Sequence, residues 1–116
     1  MEYVDVHALK ELEALLEEEM PEVMGLYLGA LAQNVQDIQQ SHVHGNMEGL
    51  RKSAHALKGS SANVAAQEVA RICAELEKLA KAGELEKIPP MLQQLSTAAT
   101  QTRTTLAELG YSSGTE

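Results

Sequence analysis

Along almost the whole of this 116-residue chain, apolar residues recur at alternating steps of three and four, a period that fits amphipathic helices and little else. Leu9, Leu12, Leu15 and Leu16 mark a first helix over about 5–18. Pro21 suits the opening turn of a second, over 21–40, because the N–H it lacks has no partner there anyway. Met24, Tyr27, Leu28, Leu31, Val35 and Ile38 form the apolar face of that helix, and the polar SHVHGN stretch ends it as a loop. Asn46 suits the N-cap of a third helix over 47–63, with Met47, Leu50, Ala54, Leu57, Ser61 and Val64 along its seam. A fourth, over 67–82, turns Val69, Ile72, Cys73, Leu76, Leu79 and Ala80 inward and stops at Gly83. Pro89 and Pro90 open a fifth over 89–109, carrying Ile88, Leu92, Leu95, Ala99, Thr102, Leu106 and Leu109, and residues 110–116 are expected to fray. Short connections between long helices favour antiparallel neighbours. The expected fold is therefore all-α, an antiparallel up-down four-helix bundle behind a short extra N-terminal helix, as a single domain over 1–116.

Composition narrows the function. The chain has no Trp or Phe and three Tyr, so Leu, Ala, Val and Met must build the core. With 17 acidic against 9 basic side chains its net charge is −8, a poor match for the clustered cations that nucleic acid demands. A single cysteine, Cys73, permits no internal disulfide and fits a reducing compartment. The acidic N-terminus does not read as a signal peptide, and no run approaches the ~18 apolar residues of a membrane span. A cytoplasmic chain is expected. There is no GxxxxGK[ST] phosphate loop and no Glu-x-x-His pair. His42 and His44 fall in the expected loop without neighbouring ligands and read as a solvated turn; His7 reads as a surface histidine.

His55 stands apart. From Gly49 to Gln67 the chain holds no acidic residue, yet it holds Arg51, Lys52 and Lys58. At about 100° per residue, Arg51, Lys52, Lys58, Gly59 and Ala62 lie within about 60° of His55, and the inward seam centres roughly 120° away. The imidazole is thus expected outside the core, among cations and small side chains. Gly59 sits in mid-helix, where glycine costs about 1 kcal/mol relative to alanine. Either another surface comes close at that point, or a neighbouring helix packs tightly there. If the third and fourth helices reverse near Ala66, His55 lies eleven residues before the corner and Glu77 eleven after it. Equal rise per residue then lets Glu77 face His55, the alternative being one more exposed glutamate. A carboxylate on Nδ1–H leaves the Nε2 lone pair outward, as a nucleophile requires. A phosphoryl group, with Lys58 one turn on to balance its charge, is the electrophile such a site suits.

The string SAHALKGSSANV, Ser53 to Val64, closely resembles the signature of histidine-containing phosphotransfer (HPt) domains, and CAELEK, with Cys73, Leu76 and Glu77, looks like that family's next helix. Helix order and length agree over nearly the whole chain. The resemblance implies that His55 is the phosphoacceptor at Nε2, that Lys58 stabilises the phosphoryl group and that Gly59 gives a partner clearance. Glu77 stands where relatives carry a Gln or Glu bonded to the ring. The partners implied are receiver domains, one on a hybrid sensor kinase and one on a response regulator. They are expected over the His55 helix, with Arg51, Lys52, Gly59 and Ala62 in the binding face, and over Leu9, Leu12 or Leu16 of the leading helix. No ATP site and no cofactor are expected on this chain, the Mg²⁺ belonging to the receiver. Nor is a nucleic-acid or membrane partner, and the chain is expected as a monomer. The competing reading is a helical interaction module without covalent chemistry, which the intact His, Lys and Gly disfavour. A small hydrolase lacks a paired acid and nucleophile.

Overall fold

The computed structural model describes residues 2–111. Five α-helices follow one another: α1 (Val6–Leu16), α2 (Met20–Val43), α3 (Met47–Asn63), α4 (Gln67–Ala82) and α5 (Ile88–Glu108). Short 3-10 turns, Glu17–Glu19 and Leu85–Lys87, precede α2 and α5. Helix α2 packs on α3, α3 on α4 and α4 on α5, and α5 closes the ring against α2. The four form an antiparallel up-down bundle, and α1 lies against α2 at one end. Inside are the seams read from the period: Leu31 and Ile38, Leu50 and Leu57, Ile72 and Leu76, Leu95 and Leu106, each essentially without exposure. Burying one such side chain stabilises the fold by about 1.5–3 kcal/mol, so the bundle needs no aromatic core.

The helix ends are set by backbone chemistry. Asp5 and Asn46 cap α1 and α3, their side chains accepting the Ala8 and Gly49 N–H groups at 3.1 and 2.9 Å. Gly45, Gly83 and Gly110, with φ of 69°, 73° and 101°, take the left-handed position after α2, α4 and α5. After α3 that position falls to an alanine: Ala65 has φ 63°, the Ala66 N–H reaches Ser61 O at 2.9 Å, and the Ala65 N–H reaches Ala62 O at 3.2 Å. A Cβ in this region costs roughly 1–2 kcal/mol. Ala65 also receives the N-terminal segment, because the Asp5 N–H donates to its carbonyl at 2.9 Å. Ala65→Gly is expected to stabilise the protein by about 0.5–1 kcal/mol, the relief of strain less glycine's extra chain entropy. Thermal melts should rise by a few degrees; an unchanged or lower midpoint would show that the Ala65 methyl group's packing outweighs its strain.

Four expectations are corrected. Leu15 is not inward but 80% exposed, because Leu9, Leu12 and Leu16 already form the i, i+3, i+7 stripe of α1. Helix α2 does not stop at residue 40: it runs through Ser41–Val43 until Gly45 turns it, so His42 lies in the last helical turn and His44 is the cap, its Nδ1 2.8 Å from Gln40 O. Helix α1 is shorter than 5–18, and the chain tightens into the 3-10 turn after Leu16. Gly110 and Tyr111 are not frayed: they close α5, with the Tyr111 N–H on Leu106 O at 2.9 Å and its hydroxyl on the Glu13 carboxylate. Residues 112–116, also expected to fray, lie outside the described residues.

Candidate functional site

The site follows from the register of α3. With Leu50, Ala54, Leu57 and Ser61 committed to the core, Lys52, His55, Ala56, Gly59, Ala62 and Asn63 are left on the opposite face, all exposed. The His55 ring is 64% exposed and its Nδ1 lies 2.9 Å from Oε2 of Glu77 on α4. The other oxygen, Oε1, accepts from Lys58 Nζ at 2.8 Å. One carboxylate, 19% exposed, thus serves two donors from the neighbouring helix. The Lys58 ammonium, together with the His55 contact, holds the Glu77 carboxyl below its ordinary value against the opposing effect of partial burial. An ionised carboxylate only accepts, so Nδ1 must carry the proton. In the neutral ring the lone pair is then on Nε2, facing solvent.

The surroundings sort the remaining candidates. A Cβ added at Gly59 would meet nothing within 4 Å, which removes the tight-packing account of that glycine and leaves an open approach beside the ring. Ala62 extends the same bare strip. Arg51 is held on its own helix, its Nε and Nη2 donating to Glu48 at 3.0 and 2.6 Å. Cys73, one turn before Glu77, is buried, and burial pushes its thiol up to about 12, so it packs rather than reacts. Leu9 is buried in the core, and Leu12 and Leu16 are half-buried and pack against it, so the leading helix presents only part of these leucines. Apolar surface near the histidine comes instead from a groove lined by Val23, Leu26 and Ala30 of α2 and Ser60, Asn63 and Val64 of α3, with Leu26 69% exposed at its edge. Among the described residues no group of three His, Cys, Asp or Glu side chains could hold a metal ion. Nor is any helix there long and apolar enough to cross a membrane.

The family model of the Hpt domain matches residues 22–105, which takes in α3 and α4 whole. The chain belongs to the Hpt domain family. The Hpt domain is a phosphocarrier rather than an enzyme, and its members interact with receiver domains. This Hpt chain is similar to the crystal structure of histidine-containing phosphotransfer protein B (HptB) from Pseudomonas aeruginosa PAO1. The two share 26% identity and a TM-score of 0.87, over 91% of this chain and 92% of that one. No curated protein matches the chain.

Two contacts of the Hpt site escaped the sequence reading. The acid-free window opens one residue after Glu48, so the carboxylate that takes Arg51 stood just outside it. Lys58 is one turn from His55, so any carboxylate facing the imidazole was also within reach of the ammonium; the hairpin register carried that signal. The lowered Glu77 titration has a consequence for acid stability. A carboxyl below its ordinary 4.5 in the folded chain contributes stability that is present above pH 4.5 and lost as pH falls through the folded value. Glu77→Gln should lower the melting temperature at pH 7 by a few degrees, a deficit that shrinks as pH falls below 4.5. A deficit that stays constant on acidification would show that the ion pair contributes nothing to folding.

Proposed function

We propose that this Hpt chain is a relay carrier. It takes a phosphoryl group on His55 Nε2 from the phosphoaspartate of a hybrid sensor kinase's receiver and passes it to the aspartate of a response regulator. The observation that supports this most is the bond from Nδ1 to Glu77 under a ring whose other nitrogen is open to solvent. In the forward step the Nε2 lone pair forms a bond to phosphorus, the P–O bond to the receiver's aspartyl carbonyl carbon's oxygen breaks, and its electron pair leaves on the aspartate. Glu77 positions the ring and keeps its proton on Nδ1 throughout. Lys58 offsets charge on the phosphoryl oxygens. Lys52 and Ala62 border the approach, Gly59 keeps it clear, and the Leu26 groove beside it offers the receiver apolar surface. Mg²⁺ and the acceptor carboxylate come with the receiver.

Incubation of the chain with a ³²P-labelled receiver tests the reading. The expected result is label on this chain that acid removes and base spares, recovered in the peptide containing residue 55, and returned to a second receiver on addition. A complex with receivers that never yields label would favour the interaction module and overturn the carrier.

A further inference from the structure

In the resting site the lysine is already occupied: Lys58 Nζ lies 2.8 Å from Glu77 Oε1, while Glu77 Oε2 holds His55 Nδ1 at 2.9 Å. A phosphoryl group arriving at Nε2 would therefore compete with Glu77 for the same ammonium. The charges show how the competition resolves. The form of the ring that can attack is the neutral one, and beside it Lys58 is the countercharge of Glu77. Attack by the Nε2 lone pair moves no proton from Nδ1, so the ring gains one positive charge as the N–P bond forms. The electron pair of the broken P–O bond stays with the receiver's aspartate. Glu77 now has a cation in a hydrogen bond it already makes, and charge assistance strengthens that bond. At the same moment the phosphoryl group brings up to two negative charges to the outer nitrogen. Lys58, three residues along on the same helical face, is within side-chain reach of both places.

We propose that Lys58 changes partners during transfer, from Glu77 in the empty protein to the phosphoryl group in the loaded one, the ring's new charge taking its place on Glu77. This rests on His55 being the phosphoacceptor. Glu77 then has a cation in both states, Lys58 in the empty protein and the ring in the loaded one, and the phosphoryl group has Lys58 beside it while it is held. Discharge reverses the sequence: the ring loses its charge and Lys58 returns to Oε1. A carrier that must both accept and donate is served by this exchange, because one ion pair replaces another of similar strength.

The test uses the 116-residue chain labelled with ¹⁵N-lysine and loaded at neutral pH with phosphoramidate, whose P–N bond breaks with its electron pair leaving on ammonia. Loading is read by ³¹P resonance, and the Lys58 Nζ signal is assigned by its loss in Lys58→Met. Glu77→Gln is expected to shift that Nζ signal clearly in the empty protein and to leave it unmoved in the loaded one. An equal shift in both states would overturn the exchange. A crystal structure of the loaded native chain decides the matter without any substitution: Nζ on a phosphoryl oxygen supports the exchange, and Nζ still on Oε1 overturns it. Absence of a ³¹P signal that depends on His55 is a separate failure, that of the phosphoacceptor reading itself.

Discussion

His55→Gln is expected to take receiver-derived label on this chain to background while leaving the fold intact. The chemistry requires a lone pair on the outward atom of the side chain at position 55, and an amide oxygen or nitrogen is not a phosphoryl nucleophile at neutral pH. The structure gives reasons for the fold to tolerate the change. The ring is 64% exposed, and the core side of α3 is made by Leu50, Ala54 and Leu57. A glutamine amide can still donate to Glu77, so the carboxylate keeps a partner. Surface substitutions of this kind usually stay within about 0.5 kcal/mol. His7→Gln, His42→Gln and His44→Gln serve as controls and should retain full label. His7 sits on α1 beside Glu11 and His44 caps α2 through Gln40, each engaged locally and not with His55, Lys58 or Glu77. Label that persists in His55→Gln, or that vanishes in one of the controls, would move the phosphoacceptor elsewhere.

What could be read from the sequence, and what could not, divides along physical lines. The bundle was legible because each seam is long and its period regular, and because Gly83 and Asn46 punctuate it where helices end. The pairing of His55 with Glu77 was legible because two helices of equal rise share a corner, and the corner falls at Ala65–Ala66. Orientation on α1 was harder to read. A short helix with four leucines offers more than one apolar stripe, and the choice is made by Val4 and Tyr3, which anchor the segment ahead of it. The Tyr3 carbonyl accepts the Glu68 N–H at 3.4 Å, so that segment helps cap α4, for which Ala66 offers no side-chain acceptor. Ion pairs were the least legible. Arg51 had acidic residues within reach only outside the window in which it was judged, and Lys58 looked available to a phosphoryl group because its own partner sits nineteen residues away on another helix. The Leu26 groove was missed because an exposed leucine on α2 has no periodic signature.

Gly59→Gln is expected to slow transfer from a receiver by about 10–100-fold while making the isolated chain more stable. The two effects have separate origins. Glycine in a helix interior lies about 1 kcal/mol above good helix formers, and a Cβ at 59 meets no atom within 4 Å, so glutamine recovers that propensity without a clash. A gain of a few degrees in the melting midpoint follows. In the proposed relay the same open space is where a receiver brings its phosphoaspartate against Nε2. A side chain one turn from the ring, on its own face, holds the two surfaces apart, and displacements of about 1 Å at a reacting centre can cost 10²-fold in rate. Phosphoramidate is small enough to reach Nε2 past the new side chain, so loading by that donor should be unchanged within a factor of about two. Stability rising, small-donor loading constant and receiver transfer falling is a pattern that neither a folding defect nor a damaged nucleophile produces. Equal slowing with both donors would place the fault at His55 itself. Native rates with both would mean that the receiver's backbone never comes close to α3 at this position, and Gly59 would need another reason for its cost.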